Sequence, residues 1–188
     1  MNFLLLTGPP AVGKMTVGQK LAKQLDYKLF HNHHSIDLTL NFFSWGEVGF
    51  KKINEGIRQL IFKTVAEDRT LKGFIFTLVW AFDLQEDWNY VEDIKKLFET
   101  NGWTFHIVEL YAPVETRLAR NKTENRLIHK ASKRNIANSD KNLLKLEEGY
   151  EMNTDGTKIK EQNYLRIDNT NLSAETTAER IIQYFGLK

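Results

Sequence analysis

The chain has 188 residues and a net charge of +2, long enough for one hydrophobic core and too evenly charged to argue for a nucleic acid or an acidic membrane as partner. It has no cysteine, which excludes disulfides, thiol catalysis and thiolate metal sites and makes a cytoplasmic protein the simplest expectation. No stretch reads as a membrane span, and no repeat, low-complexity tract or linker interrupts the chain, so a single domain over 1–188 is expected.

The first element is the apolar run Phe3 to Leu6. It has no basic leader and reads as a strand rather than a signal peptide. It runs straight into Gly8-Pro9-Pro10-Ala11-Val12-Gly13-Lys14-Met15-Thr16. A glycine, four residues and Gly-Lys let the backbone fold into a ring of N–H groups around a polyphosphate, with the lysine adding a positive charge. Met15 to Leu25 follows with helical apolar spacing, so the loop opens a helix whose positive end faces the phosphates. Met15 stands where a magnesium-ligating hydroxyl is usual, and the hydroxyl comes one residue later, at Thr16.

Further strands are expected at Lys28–His31, Gly73–Trp80, Thr104–Tyr111 and Tyr164–Ile167. Between and after them, helical patterns cover Ile53–Glu67, Trp88–Phe98, Pro113–Asn121, Asn142–Tyr150 and Ala174–Phe185, the last behind a Ser173 cap. Strands separated by helices imply a parallel sheet, because parallel neighbours need crossovers. The expected fold class is therefore α/β, a three-layer sandwich with the phosphate loop at the carboxyl edge of the sheet. Two stretches fall outside that scheme. The aromatic-rich His31–Lys52 begins an acceptor-binding insertion of about 31–70, and the basic Arg117–Lys145 reads as a lid.

Three segments, GPPAVGKMT, YAPVETRLAR and RIDNT, make the chain resemble the small P-loop kinases: the nucleoside monophosphate, shikimate and gluconate kinases and the chloramphenicol phosphotransferases. The resemblance implies a P-loop NTP hydrolase fold, with a five-stranded parallel sheet in order 2-3-1-4-5 and a helical lid. It implies ATP as phosphoryl donor with Mg²⁺, Lys14 bridging the β- and γ-phosphates, and Thr16 as magnesium ligand, with Thr77 helping to position the ion. It places lid arginines at Arg120 and Arg117, with Arg126 third, while Lys122, Lys130, Lys133 and Arg134 supply a general positive field. It also sets Asn169, in RIDNT, beside the base, although Asp168, Asn169 and Thr170 are equally ordinary turn formers.

On the acceptor side the likeness weakens. Gly73-Phe74-Ile75-Phe76 matches an adenylate kinase strand start, but the aspartate, glycine and arginine expected after it are missing, and His31-Asn32-His33-His34 stands where shikimate kinases carry aspartates. Monophosphate and shikimate are both poor expectations. His31 or His33 could orient or deprotonate an acceptor hydroxyl, Asp37 or Asp83 could take its proton, and Trp80 could stack on a ring. Phe42, Phe43, Trp45 and Phe50 could line an apolar pocket. Cap histidines, turn aspartates and core aromatics compete with each of these readings, and adjacent histidines pointing to opposite sides argue against zinc. The expected function is transfer of the γ-phosphate of ATP to a hydroxyl of a small molecule, with no nucleic-acid or membrane partner. The rivals are a nucleotide-binding switch without an acceptor and a kinase acting on polynucleotide ends, the latter disfavoured by the small charge excess.

Overall fold

A computed structural model describes residues 1–188. Its strands are β1 (Asn2–Thr7), β2 (Lys28–His31), β3 (Gly73–Thr77), β4 (Thr104–Tyr111) and β5 (Tyr164–Asp168). They form one all-parallel sheet in the order β2-β3-β1-β4-β5. The helices are α1 (Lys14–Leu25), α2 (His33–Thr39), α3 (Val48–Glu67), α4 (Gln85–Thr100), α5 (Val114–Arg120), α6 (Glu124–His129), α7 (Ile136–Gly149) and α8 (Ala174–Phe185), with a 3-10 turn at Ala131–Lys133. No helix is long and apolar enough to cross a membrane.

The sheet sorts its side chains by parity, since alternate strand residues point to opposite faces. Phe3, Leu5, Phe74, Phe76, Phe105 and Ile107 face one side and meet Phe62 of α3 and Ile94 and Phe98 of α4. Leu4, Leu6, Ile75, Val108 and Leu110 face the other and meet Val17 and Leu21 of α1 and Ala178 and Ile181 of α8. One layer is aromatic and the other aliphatic. Both are dry, so the strands read as continuous apolar runs.

β2, β4 and α8 fall within the bounds expected from sequence, but β3 is shorter. It ends at Thr77, the last residue in register with Leu6 of β1 and with His31, where β2 ends. α3 begins at Val48, α4 at Gln85 and α7 at Ile136; Asn135 caps α7 by accepting from the Asn138 N–H at 3.1 Å. α2 and α6 have no sequence counterpart. Both are one- to two-turn helices whose inward residues are mostly polar, so neither carries an apolar stripe. All five strands end on one edge of the sheet, and the phosphate loop leaves β1 there.

Candidate functional site

Gly8 leaves β1 with φ 129° and Gly13 precedes α1 with φ 115°. A Cβ on Gly8 would stand 2.3 Å from the Leu110 carbonyl oxygen, so only glycine lets β4 pass this closely. Ala11 is also left-handed, at φ 62°, a conformation that costs a side-chain-bearing residue about 1 kcal/mol. The loop is thus held in a shape its residues do not prefer. Pro9 and Pro10 have no N–H to offer, and the Val12 N–H donates to the Pro9 carbonyl at 3.4 Å. The N–H groups of Ala11, Gly13, Lys14, Met15 and Thr16 make no hydrogen bond within the protein. Successive free amides in a left-handed turn opening a helix form an anion-binding concavity.

Above this floor lies a cleft of about 360 Å³, lined by loop residues and by Arg120, Asn125, Arg126, Lys130 and Asn169. Lys14, Arg126 and Lys130 are 6, 9 and 7% exposed, and none has an ion-pair partner. Lys14 donates to the Gly8 and Pro9 carbonyls at 2.6 and 2.8 Å. Arg126 Nε is buried with no acceptor at all. Burial first, then the neighbouring cations Lys130, Arg126 and Arg117, holds the Lys14 ammonium well below its ordinary range. Burial together with Arg126 and Lys133 lowers Lys130 to about 7, with Asp37 opposing, and burial lowers Arg126 to about 10, with Asp140 opposing. Burying like charges without a counterion is costly, and an anion that joins them relieves that cost.

Arg120 and Arg117 are both engaged with the protein itself. Arg120 donates to the carbonyls of Val12, Asn169 and Thr170 and to Asn169 Oδ1, at 2.7–3.1 Å. Asn169 returns its Nδ2 to the same Val12 carbonyl at 2.9 Å. Together they clamp the phosphate loop to the β5–α8 connection, and Arg120 still borders the cleft. Arg117 is fully buried, donates Nε to the Ala112 carbonyl at 3.0 Å and pairs with Glu147 of α7 at 2.5 Å. It is a brace between α5 and α7. Thr16 lines the cleft, and its hydroxyl accepts from Asn125 at 3.2 Å; Thr77 accepts from the Asn32 N–H at 3.1 Å. Neither hydroxyl has a carboxylate at hand, and no three metal-ligating side chains cluster anywhere. Only Thr16 lines the cleft and fits a magnesium ion, as a hydroxyl touching one that arrives on the phosphates; Thr77 is buried outside the lining.

Of the residues expected to meet an acceptor, β2 delivers His31 and α2 delivers His33 and Asp37; none of the three lines the phosphate cleft. The His33 Nδ1–Asp37 Oδ1 distance is 2.9 Å, and the hydroxyl of Ser132, from the 3-10 turn, donates to the same oxygen at 2.6 Å. Burial, with Lys130 and Lys133, lowers His33 to about 4 despite Asp37, so its ring is neutral near pH 7. Burial works against the Asp37 carboxylate, but bonds from His33 and Ser132 outweigh it and keep the group below its usual range. His31 is buried with Nδ1 unpaired, packs at 3.6 Å from the His34 ring, and is lowered to about 3, chiefly by burial. Arg58 of α3 braces this corner, donating to Ser35 Oγ at 3.0 Å and to the Asn32 carbonyl at 3.4 Å.

Trp80 and Asp83 take other places. Trp80 is 1% exposed in the aromatic core, against Phe82 and Trp88 at 4.7 Å, and presents no face to a ligand. Asp83 is exposed and accepts the Glu151 N–H at 3.0 Å, anchoring the chain beyond α7. Phe50 is buried, with Trp45 against it at 4.8 Å, whereas Phe42 and Trp45 are 71 and 67% exposed. What sequence reasoning passed over is the weight of Arg126 and Lys130 and any part for Asn125 or Ser132. The basic run 120–134 marks the region, but which cations are buried there is a tertiary property.

No protein-family profile and no curated protein sequence matches the chain. Solved structures do. A provisionally named kinase from Chloroflexus aurantiacus superposes with a TM-score of 0.66 at 16% identity, covering 98% of this chain and 96% of that one. The tunicamycin resistance protein of Deinococcus radiodurans gives 0.57 at 16% identity, covering 100% and 96%. Shikimate kinase from Acinetobacter baumannii, solved with shikimate, gives 0.53 at 20% identity, covering 98% and 93%. The chain therefore has the fold of the P-loop small-molecule kinases.

Proposed function

We propose that the protein moves the γ-phosphate of ATP to a hydroxyl of a small molecule. The observation that carries this reading is the cleft floor: free loop amides beneath Lys14, Arg126 and Lys130, three buried cations with no carboxylate between them. A nucleotide polyphosphate satisfies both sets at once. The kinase fold supplies the reaction class, and the cleft supplies the charge that a spreading phosphoryl group needs. In this reading the chain is one domain set in the cytoplasm, with an acceptor region at about 31–70 and a lid at about 117–145.

On binding, Lys14 exchanges the Gly8 and Pro9 carbonyls for phosphate oxygens, and Arg126 and Lys130 close from the lid side. Arg120 and Asn169 keep the loop in register with the β5–α8 connection beside the base. Magnesium, carried in on the phosphates against Thr16, would add charge neutralisation. The acceptor hydroxyl gives its proton to Nε2 of neutral His33, whose Nδ1–H is held by Asp37. The acceptor oxygen then bonds to the γ-phosphorus as the bond to ADP breaks, and the imidazolium rests against the Asp37 carboxylate. Nucleotide charge beside Lys130 and Lys133 raises the affinity of His33 for that proton. Shutting out water matters, because hydrolysis competes with transfer.

The test is a transfer screen with γ-labelled ATP against sugars, nucleosides, cyclic polyols and hydroxylated antibiotics. Label moving to one class supports the reading. Slow hydrolysis that no hydroxyl compound stimulates supports the second reading, a nucleotide-binding switch, which the lack of a carboxylate beside Thr16 favours.

A further inference from the structure

The cleft offers much to an anion and little to a cation. Lys14, Arg120, Arg126 and Lys130 line it, and no aspartate or glutamate does. The carboxylates whose charge reaches these cations from outside the lining are Asp37 for Lys130, Asp140 for Arg126 and Asp168 for Arg120. Each is already engaged. Asp37 accepts from His33 and Ser132, Asp140 accepts from the Asn121 side-chain amide at 2.7 Å, and Asp168 accepts from the N–H and hydroxyl of Thr170. A divalent cation entering on the phosphates therefore meets one protein oxygen in the lining at the head of α1, the Thr16 hydroxyl, and Asn125 of α6 already donates to it. The same Asn125 amide is tied to Gln19 Oε1 at 3.0 Å, which holds it over that hydroxyl.

Magnesium takes a near-octahedral set of oxygens, keeps several waters, and is held in proteins by one or two carboxylates together with substrate phosphates. Without a carboxylate in the lining, a magnesium ion that rides in on the phosphates gains one neutral ligand. It also works against the cations already there. A metal on the phosphate oxygens cancels part of the charge that Lys14, Arg126 and Lys130 are placed to meet, and it stands beside them as a further like charge. Because those three side chains are buried, solvent and salt screen the competition little. We propose that the cleft binds the metal-free nucleotide polyphosphate at least as tightly as its magnesium complex, with Lys14, Arg126 and Lys130 taking the part in binding that a metal ion would otherwise play. This rests on the reading of the cleft as a nucleotide site, and it concerns how the nucleotide is held rather than the transfer step.

The test needs no knowledge of the acceptor. The full chain is titrated calorimetrically with the β,γ-imido analogue of ATP, once in EDTA and once in excess Mg²⁺ at the same pH, so that the two forms are compared without turnover. Wild type should bind the analogue in EDTA with a Kd equal to or below that in Mg²⁺. Lys130→Met and Arg126→Met should each lose about tenfold in EDTA, the factor one hydrogen bond to a charged group supplies, and less in Mg²⁺, so the ratio of the two affinities moves toward the metal complex. The wild-type comparison stands without either variant. Tighter binding in Mg²⁺ than in EDTA by wild type would overturn the inference and leave the nucleotide site standing, and so would folded variants that lose equally in both media. Binding in neither medium would overturn the nucleotide reading and the inference with it.

Discussion

In the phosphate cleft, buried cations stand without anionic partners, whereas around His33 most polar groups are already spoken for. Arg126 Nε has no acceptor and the Lys130 ammonium makes no hydrogen bond, but His33 has Asp37, Asp37 has Ser132, and Arg58 has Ser35 and Asn32. The donor half is therefore destabilised until a ligand arrives, and ligand binding should raise stability as well as occupancy. The region around His33 is more nearly satisfied, with His31 Nδ1 its unpaired group. It selects by what can displace or extend its bonds, which is a weaker and more local signature. A strong charge deficit announces its ligand class, and a closed hydrogen-bond network does not.

The harshest way to break this contrast is Lys14→Ala. We expect turnover with any acceptor found to fall by roughly 10³-fold, with circular dichroism and melting little changed, because oxyanion stabilisation is lost at one point. A folded variant with undiminished transfer would remove the donor half from the argument. In the aromatic core, Trp80→Ala should cost about 3–5 kcal/mol of stability, as for other buried aromatics, while the nucleotide affinity of the folded protein stays the same. Denaturant titration measures the first and fluorescent-nucleotide binding the second. Loss of acceptor affinity in a fully stable variant would contradict its place in the core.

Arg126→Ala should weaken transfer about a hundredfold, more than Arg120→Lys does, since Arg126 faces the cleft unpaired and Arg120 is engaged with carbonyls. Steady-state rates on the two variants decide the order. The smallest effect is the pH dependence of nucleotide affinity. Lys130 is lowered to about 7 when free, and adjacent phosphate oxygens favour its charged form and raise it in the complex. Binding therefore takes up a proton above pH 7, so affinity drops by up to about tenfold per pH unit as pH rises through that window. Calorimetry in buffers of different ionisation enthalpy should show one proton fewer taken up by Lys130→Met.

The same contrast explains what could be read from the chain itself. The phosphate loop, the flanking strand and helix, β2, β4 and α8 are local: apolar runs, a Gly-rich spacing and a serine cap carry them. The sheet order came with the resemblance to P-loop kinases and agrees with the observed ladder. Arg126 and Lys130 were indistinguishable from solvated lid cations, because burial without a counterion is decided by the packing of α6 and the 3-10 turn over the cleft. Arg120 and Arg117 drew attention through their spacing, yet carbonyl groups and Glu147 claim them, and nothing in the spacing reveals that. Trp80 reads as the end of a strand, but its ladder partners stop three residues earlier and the ring turns into the core.

The four tryptophans are unevenly placed: Trp80 and Trp103 are sealed in, Trp88 is partly covered, and Trp45 stands out at the α2–α3 connection against Phe50. Emission from the folded protein is thus a sum of two sealed indoles, a partly covered one and a wet one. Iodide will quench the wet one most, and a molecule settling over that corner will shift its colour toward the blue. The protein carries an optical gauge of its α2–α3 corner, legible without label or substitution.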